Sequence, residues 1–162
     1  MEIVKLLPEH WDEVRQIYEQ GIMTGNATFE TAAPSWEEWD KKHLDICRFV
    51  AIEDGKVAGW IALIPTSTRK VYLGIMEVSI YIHEDHRGKG VGKKLFDVLI
   101  PESEKNGIWS LLSVLFPENT ASIKLHEKVG FKVIGIREKM GKMGDVWRDN
   151  VMMERRSKVA GV

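Results

Sequence analysis

The stretch HRGKGVGKK, His86–Lys94, sets Gly88, Gly90 and Gly92 at alternate positions among Arg87, Lys89, Lys93 and Lys94. A glycine-rich turn that opens a helix can hold phosphate, because backbone N–H groups converge on the anion and the helix dipole favours it. Spacing excludes two phosphate loops. A P-loop needs its second glycine just before Lys-Ser/Thr, and the residues five and six after Gly88 are Lys93 and Lys94. A dinucleotide fingerprint needs glycines at positions one, three and six, and positions 93 and 95 hold Lys and Leu.

Shortly before the turn stands Glu77, inside IMEVSIYIH. Period two puts Met76, Val78, Ile80 and Ile82 on one face and Glu77, Ser79, Tyr81 and His83 on the other. An unpaired carboxylate between apolar neighbours is costly, so Glu77 is read as a site residue rather than a solvent-facing strand position. Arg69 and Tyr72 precede the same strand. Arginine suits a bidentate grip on a carboxylate; the other reading is a surface cation in the polar loop Thr66–Lys70. Ser67, Thr68 and Ser79 are supporting candidates, and Phe29 and Glu30 could wall a pocket from the long early loop. No His/Cys/Asp cluster has metal-ligand spacing, and no Ser-His-Asp order stands out.

The elements that must position these residues alternate along the chain. Ile3–Leu7 reads as a strand. Pro8 opens a helix carrying Trp11, Val14, Ile17 and Tyr18 to about Gln20. Gly21–Pro34 reads as an irregular loop, and Ser35 with Glu38 forms a capping box for a second helix, in which Trp36 and Trp39 pack one turn apart. Cys47–Pro65 is a hairpin about Asp54-Gly55, a type I′ dipeptide. After Gly90, the spacing of Val91, Leu95, Val98 and Leu99 predicts a helix, with Gly107 just past its end. Ile108–Phe116 is a strand, Asn119 caps a helix closed by Gly130, and 131–139 and 145–156 are strands. This pattern is an α/β (α+β) domain with a mixed sheet.

Composition bounds the rest. The 162 residues, 44% hydrophobic and 29% charged, suit one domain spanning 1–162. A net charge of −1 argues against a general nucleic-acid binder. No apolar run has membrane-spanning length, and MEIVKLLPEH lacks the shape of a signal peptide. The one cysteine, Cys47, reads as a buried small hydrophobe. A cytoplasmic setting is the expectation.

The phosphate turn has the form Arg-x-x-Gly-x-Gly between a strand and a helix, and in this it resembles the GCN5-related N-acetyltransferases. ENTASIKLHEKVGF, Glu118–Phe131, resembles that family's second cofactor segment. Asn26–Thr31, Ala33-Pro34, Gly59-Trp60, Arg69 with Tyr72, Glu77–Ile82, and Gly144 with Trp147 and Asp149 resemble the branch that acetylates phosphinothricin and methionine sulfoximine.

The resemblance implies a splayed, mostly antiparallel sheet of about seven strands flanked by helices. It implies acetyl-CoA as co-substrate, with Gly88, Lys89, Gly90, Val91, Gly92 and Lys93 around the pyrophosphate. It further implies main-chain contacts to the pantetheine arm from Ile80, Tyr81 and Ile82, and a bond from Asn119, which is also a plain N-cap. The acceptor would lie among Phe29, Glu30, Ser67, Thr68, Arg69, Tyr72, Glu77, Val78 and Ser79. Transfer to an amine needs a neutral nitrogen and a route for its proton; Glu77 could bind the amino group, relay its proton, or do both. Many members carry a tyrosine where this chain has His126, which could protonate the departing thiolate or be a hydrogen-bonded core residue. The implied activity is acetyl transfer to the α-amine of a small amino acid or analogue (phosphinothricin, methionine sulfoximine or methionine sulfone) by direct attack in a ternary complex. A homodimer is expected, with no metal, nucleic acid or membrane partner. Two other readings are acetylation of a protein N-terminus or lysine, and a non-catalytic acetyl-CoA sensor.

Overall fold

A computed structural model describes all residues, 1–162. Seven strands form one sheet in the order β1-β2-β3-β4-β5-β7-β6. They are β1 (Glu2–Lys5), β2 (Phe49–Glu53), β3 (Lys56–Pro65), β4 (Ile75–Ile82), β5 (Ser110–Leu115), β6 (Lys132–Met143) and β7 (Val146–Arg156). The helices are α1 (Trp11–Met23), α2 (Trp36–Lys42), α3 (Val91–Lys105) and α4 (Thr120–Lys128). Every neighbouring pair is antiparallel except β4 with β5. The expected mixed, mostly antiparallel architecture is present.

That parallel pair is short. Ile75, Met76 and Glu77 are matched with Ser110, Leu111 and Leu112, and the ladder ends there. Val78–Ile82 stays paired with β3 on one side only, while β5 goes on to pair with β7 as far as Leu115. The two strands diverge from Glu77 onward, so the main chain of Val78–Ile82 is unpaired toward β5. Inside a sheet such groups need another partner.

Local chemistry explains most boundaries. Asp54 and Gly55 both have positive φ, 50° and 75°, as a type I′ turn requires. Ser35 accepts from the Glu38 N–H at 3.2 Å while Glu38 accepts from the Ser35 N–H at 3.1 Å. Helix α1 runs to Met23, three residues past the expected end, and Gly21 lies inside it. A Cβ on Gly21 would stand 2.6 Å from the Tyr81 ring. Gly21 is therefore a close-packing residue, not a helix breaker, and the loop starts at Thr24. Strand β6 runs past the expected Lys139 to Met143, with a register shift between Arg137 and Gly141 and a left-handed Lys139 at φ 48°.

Two apolar cores cover the two faces. One joins β2–β5 and β7 to α3 through residues such as Ile61, Leu63, Val78, Leu95, Phe96 and Met153. The other joins α1 and α2 to β2 and β3 through Val14, Ile17, Trp39 and Trp60. Tyr81 packs against the second, stacked 5.0 Å from Trp60 and edge-on 4.8 Å from Tyr18. Both faces of β4 are thus covered along part of its length.

Candidate active site

The glycine turn opens α3. Gly88 and Gly90 adopt φ 73° and 81°, a left-handed conformation that a Cβ disfavours. The first intrahelical bond runs from the Lys94 N–H to the Gly90 carbonyl, at 3.2 Å. The N–H groups of Val91, Gly92 and Lys93 therefore have no partner in the protein and face the helix mouth. Gly92 differs in kind from the other two: a Cβ there would stand 2.5 Å from Leu125 of α4. It lets the two helices that flank the strand gap approach one another. Lys93 pairs with Asp97 at 2.6 Å, one turn on.

At the opened fork lies a cavity of about 220 Å³. β4 contributes Glu77, Val78, Ser79, Ile80 and Tyr81; the early loop, Phe29 and Glu30; α4 and its cap, Asn119 and His126. These nine predicted site residues are brought together. A second cavity, of about 230 Å³, shares Tyr18, Glu30, Lys42, Ile64 and Ser79 with the first and extends to Trp39, His43 and Trp60. One depression thus runs from the α4 cap, past Glu77, to the aromatic cluster under α2. Ser67, Thr68, Arg69 and Tyr72 line neither part. Arg69 instead lies over the Tyr72 ring, 5.2 Å from its centre, in the exposed loop before β4.

Glu77 has no hydrogen-bond or ion-pair partner, and burial raises its carboxyl above the usual carboxylate range, with Lys42 pulling the other way. Burial thus makes it a better proton acceptor than a solvated carboxylate. His126 is buried against Phe96 and Phe131. Its Nδ1 lies 2.7 Å from the Ser122 carbonyl, which can only accept, so Nδ1 carries the proton. Nε2 then has a lone pair and no partner. Burial lowers the pKa of the ring, so it is neutral at neutral pH and has no Nε2 proton to give. Asn119 accepts from the Ser122 N–H at 3.4 Å, the capping role its position predicts.

Three contributors were not legible in the sequence. Tyr18 sits at a helical core spacing, and nothing in its pattern marks it as lining a cavity. Lys42 ends α2 as an ordinary exposed lysine. Arg148 alternates with Trp147 and Asp149 on β7, which signals only that it faces the other side. Its guanidinium donates to the Gly25 carbonyl at 2.9 Å and Asn26 Oδ1 at 2.8 Å, and pairs with Glu118 at 3.2 Å. It thereby joins the loop after α1 to the residue before Asn119. No group of three or more His, Cys, Asp or Glu side chains is placed to hold a metal, and no helix is long and apolar enough to cross a membrane.

Comparison with known proteins agrees with this geometry. The model of the acetyltransferase (GNAT) family matches residues 10–131. A phosphinothricin N-acetyltransferase of Alcaligenes faecalis is 35% identical over 149 residues, covering 88% of this chain and 75% of that one. An L-methionine sulfoximine/L-methionine sulfone acetyltransferase of Pseudomonas paraeruginosa is 30% identical over 100 residues, 62% of this chain and 58% of that one. A phosphinothricin acetyltransferase from Sinorhizobium meliloti, solved with acetyl-CoA, superposes with a TM-score of 0.88 at 25% identity, covering 99% of this chain and 90% of the other. The chain belongs to the acetyltransferase (GNAT) family and is an N-acetyltransferase.

Proposed function

We propose that the protein transfers acetyl from acetyl-CoA to the α-amine of a small amino acid or analogue, with phosphinothricin, methionine sulfoximine and methionine sulfone as the leading class. The observation that carries this reading is the position of Glu77. It is the last residue of β4 paired with β5, and it lines the cavity that opens where the strands part.

In this reading the free N–H groups of Val91, Gly92 and Lys93 hold the pyrophosphate, with Gly88, Lys89 and Gly90 shaping the turn. The pantetheine arm lies along the unpaired edge of Ile80–Ile82 as an added strand, and Asn119 meets it from the α4 cap. The thioester carbonyl then stands near Glu77. The acceptor, entering beneath Phe29 and Glu30, presents its amine to the Glu77 carboxylate, which takes the proton directly or through water. The neutral nitrogen attacks the carbonyl carbon, the tetrahedral intermediate collapses to the amide, and the proton the nitrogen sheds passes, directly or through water, to the departing CoA thiolate. His126, with its proton on Nδ1, supports the packing of α4 rather than supplying a proton to that thiolate. In this reading no covalent acyl-enzyme is needed, because the thioester and the amine meet directly beside Glu77. A homodimer in the cytoplasm completes the reading. The dimer is supported by exposed apolar side chains on the β6–β7 hairpin, where Ile134, Ile136, Val146 and Trp147 are each at least 50% exposed.

Thiol release from acetyl-CoA tests the proposal against methionine sulfoximine, methionine sulfone, phosphinothricin, common amino acids, a polyamine and a lysine peptide. Fast turnover confined to the small amino acids supports it. Turnover of the peptide alone, or none with acetyl-CoA still bound, overturns it.

A further inference from the structure

Lys42 occupies the last turn of α2 and lines both parts of the depression. No other lysine or arginine lines either part. It belongs to none of the protein's ion pairs, although Glu30, Glu38 and Glu77 share its cavities. Its charge is nevertheless felt by Glu77, which it stabilises in the ionised form against the effect of burial. An unpaired ammonium and an unpaired carboxylate on the walls of one cavity are complementary to a zwitterion. Beyond them the aromatic wall of Tyr18, Trp39 and Trp60 is left for a side chain. Arg69, the cation that the sequence offered for a carboxylate, lies outside.

We propose that Lys42 binds the α-carboxylate of the acceptor while Glu77 faces its α-amine, so that Lys42 selects free α-amino acids over amines, amides and peptides. The inference rests on the acetyl-transfer reading above and adds to it the residue that sets acceptor class. Lys42 is solvated in the open depression; an acceptor that fills the space displaces water and strengthens the pairing. A peptide N-terminus has an amide where the free amino acid has its carboxylate, and leaves Lys42 unpaired at the moment of desolvation. The interaction is the same before and at the transition state, so its loss should appear in KM rather than in kcat.

The experiment compares methionine sulfoximine with its α-carboxamide by thiol release, in wild type, Lys42→Met, Lys42→Arg and Arg69→Ala. Wild type should favour the acid. Lys42→Met should raise KM for the acid by about tenfold, as loss of a charged hydrogen bond implies, with no matching rise for the amide; a change in kcat from losing the charge near Glu77 should be the same for acid and amide. Lys42→Arg should retain the preference. An acid-to-amide ratio that is the same in Lys42→Met as in wild type overturns the assignment, and a collapse of that ratio in Arg69→Ala instead would return the role to Arg69. Failure of wild type to acetylate any amino acid overturns the acetyl-transfer reading and this inference with it. Acetylation with an unmoved ratio overturns this inference alone. Because Lys42 is exposed, the melting temperature of each variant should match wild type, which separates a binding effect from unfolding.

Discussion

The guanidinium carbon of Arg148 lies 4.1 Å from the centre of the Phe116 ring, and Phe116 meets Phe29 edge-on at 4.8 Å. The stack fixes a cation where it can reach both banks of the depression: Gly25 and Asn26 on the loop after α1, and Glu118 before the α4 cap. Replacing Arg148 with Met keeps much of the apolar stem and removes these bonds. The expected cost is about 2 kcal/mol of stability, because the Gly25 carbonyl and Asn26 lose charged donors. KM should rise for the acceptor and for acetyl-CoA together, since both banks lose the same tie. Denaturant titration and two-substrate initial rates check this. A rise for the acceptor alone would show that the Glu118 contact does not position the cofactor side.

Glu77→Gln separates chemistry from folding. Loss of the proton acceptor should lower kcat by about 100-fold or more. Stability should move the other way. A carboxyl whose folded pKa is raised stabilises the fold fully only while protonated, below its unfolded pKa, and that contribution is lost as pH rises through the folded value. At neutral pH the variant should therefore be at least as stable as wild type, and the difference should vanish in acid, where both side chains are neutral. Melting curves across pH check the sign.

His43 makes the opposite pH dependence. Its Nδ1 is 2.7 Å from the Trp39 carbonyl, its ring stacks on Trp39 at 4.1 Å, and burial lowers its pKa from 6.5 to about 4. The folded state favours neutral His43, so its contribution is complete above 6.5 and is lost as pH falls toward about 4. Full loss would amount to about 3 kcal/mol. His126 acts in the same direction. Denaturation midpoints should fall over this window, and His43→Phe should flatten part of that fall.

Two glycines of the turn, Gly90 and Gly92, should fail in different ways. Gly90→Ala places a side chain at φ 81°, which costs about 1–2 kcal/mol and distorts the turn. It should weaken acetyl-CoA by about tenfold, equivalent to about 1.4 kcal/mol. Gly92→Ala pushes against Leu125 and should lower the melting temperature with a smaller effect on acetyl-CoA KM. Thermal scans and acetyl-CoA titrations distinguish the two.

The elements were legible where a local rule fixes them: the Asp54-Gly55 turn, the Ser35/Glu38 box, the alternation of β4, the Asn119 cap. The candidate site was legible where a residue type conflicts with its surroundings, as with Glu77, which lines the cavity at the strand fork. Three things were not. The parting of β4 and β5 after Glu77 leaves no local trace, because Val78–Ile82 and Ser113–Leu115 are as strand-like as the paired residues before them. Gly21 reads as a breaker because the ring that requires it, Tyr81, is sixty residues away. Lys42 reads as a solvated helix end because the cavity it lines together with Glu77 joins positions that share no sequence pattern. Arg69 shows the converse: its type fits the chemistry, yet its loop turns it onto Tyr72.

The most direct test of the central claim is to incubate wild type and Glu77→Gln with acetyl-CoA and methionine sulfoximine and to identify the product by mass spectrometry and NMR. Acetyl on the α-nitrogen, formed rapidly by wild type and at least about 100-fold more slowly by the variant, is the predicted result. Equal rates for the two proteins, or acetyl-CoA bound by wild type with no acetylated amino acid formed, would contradict it.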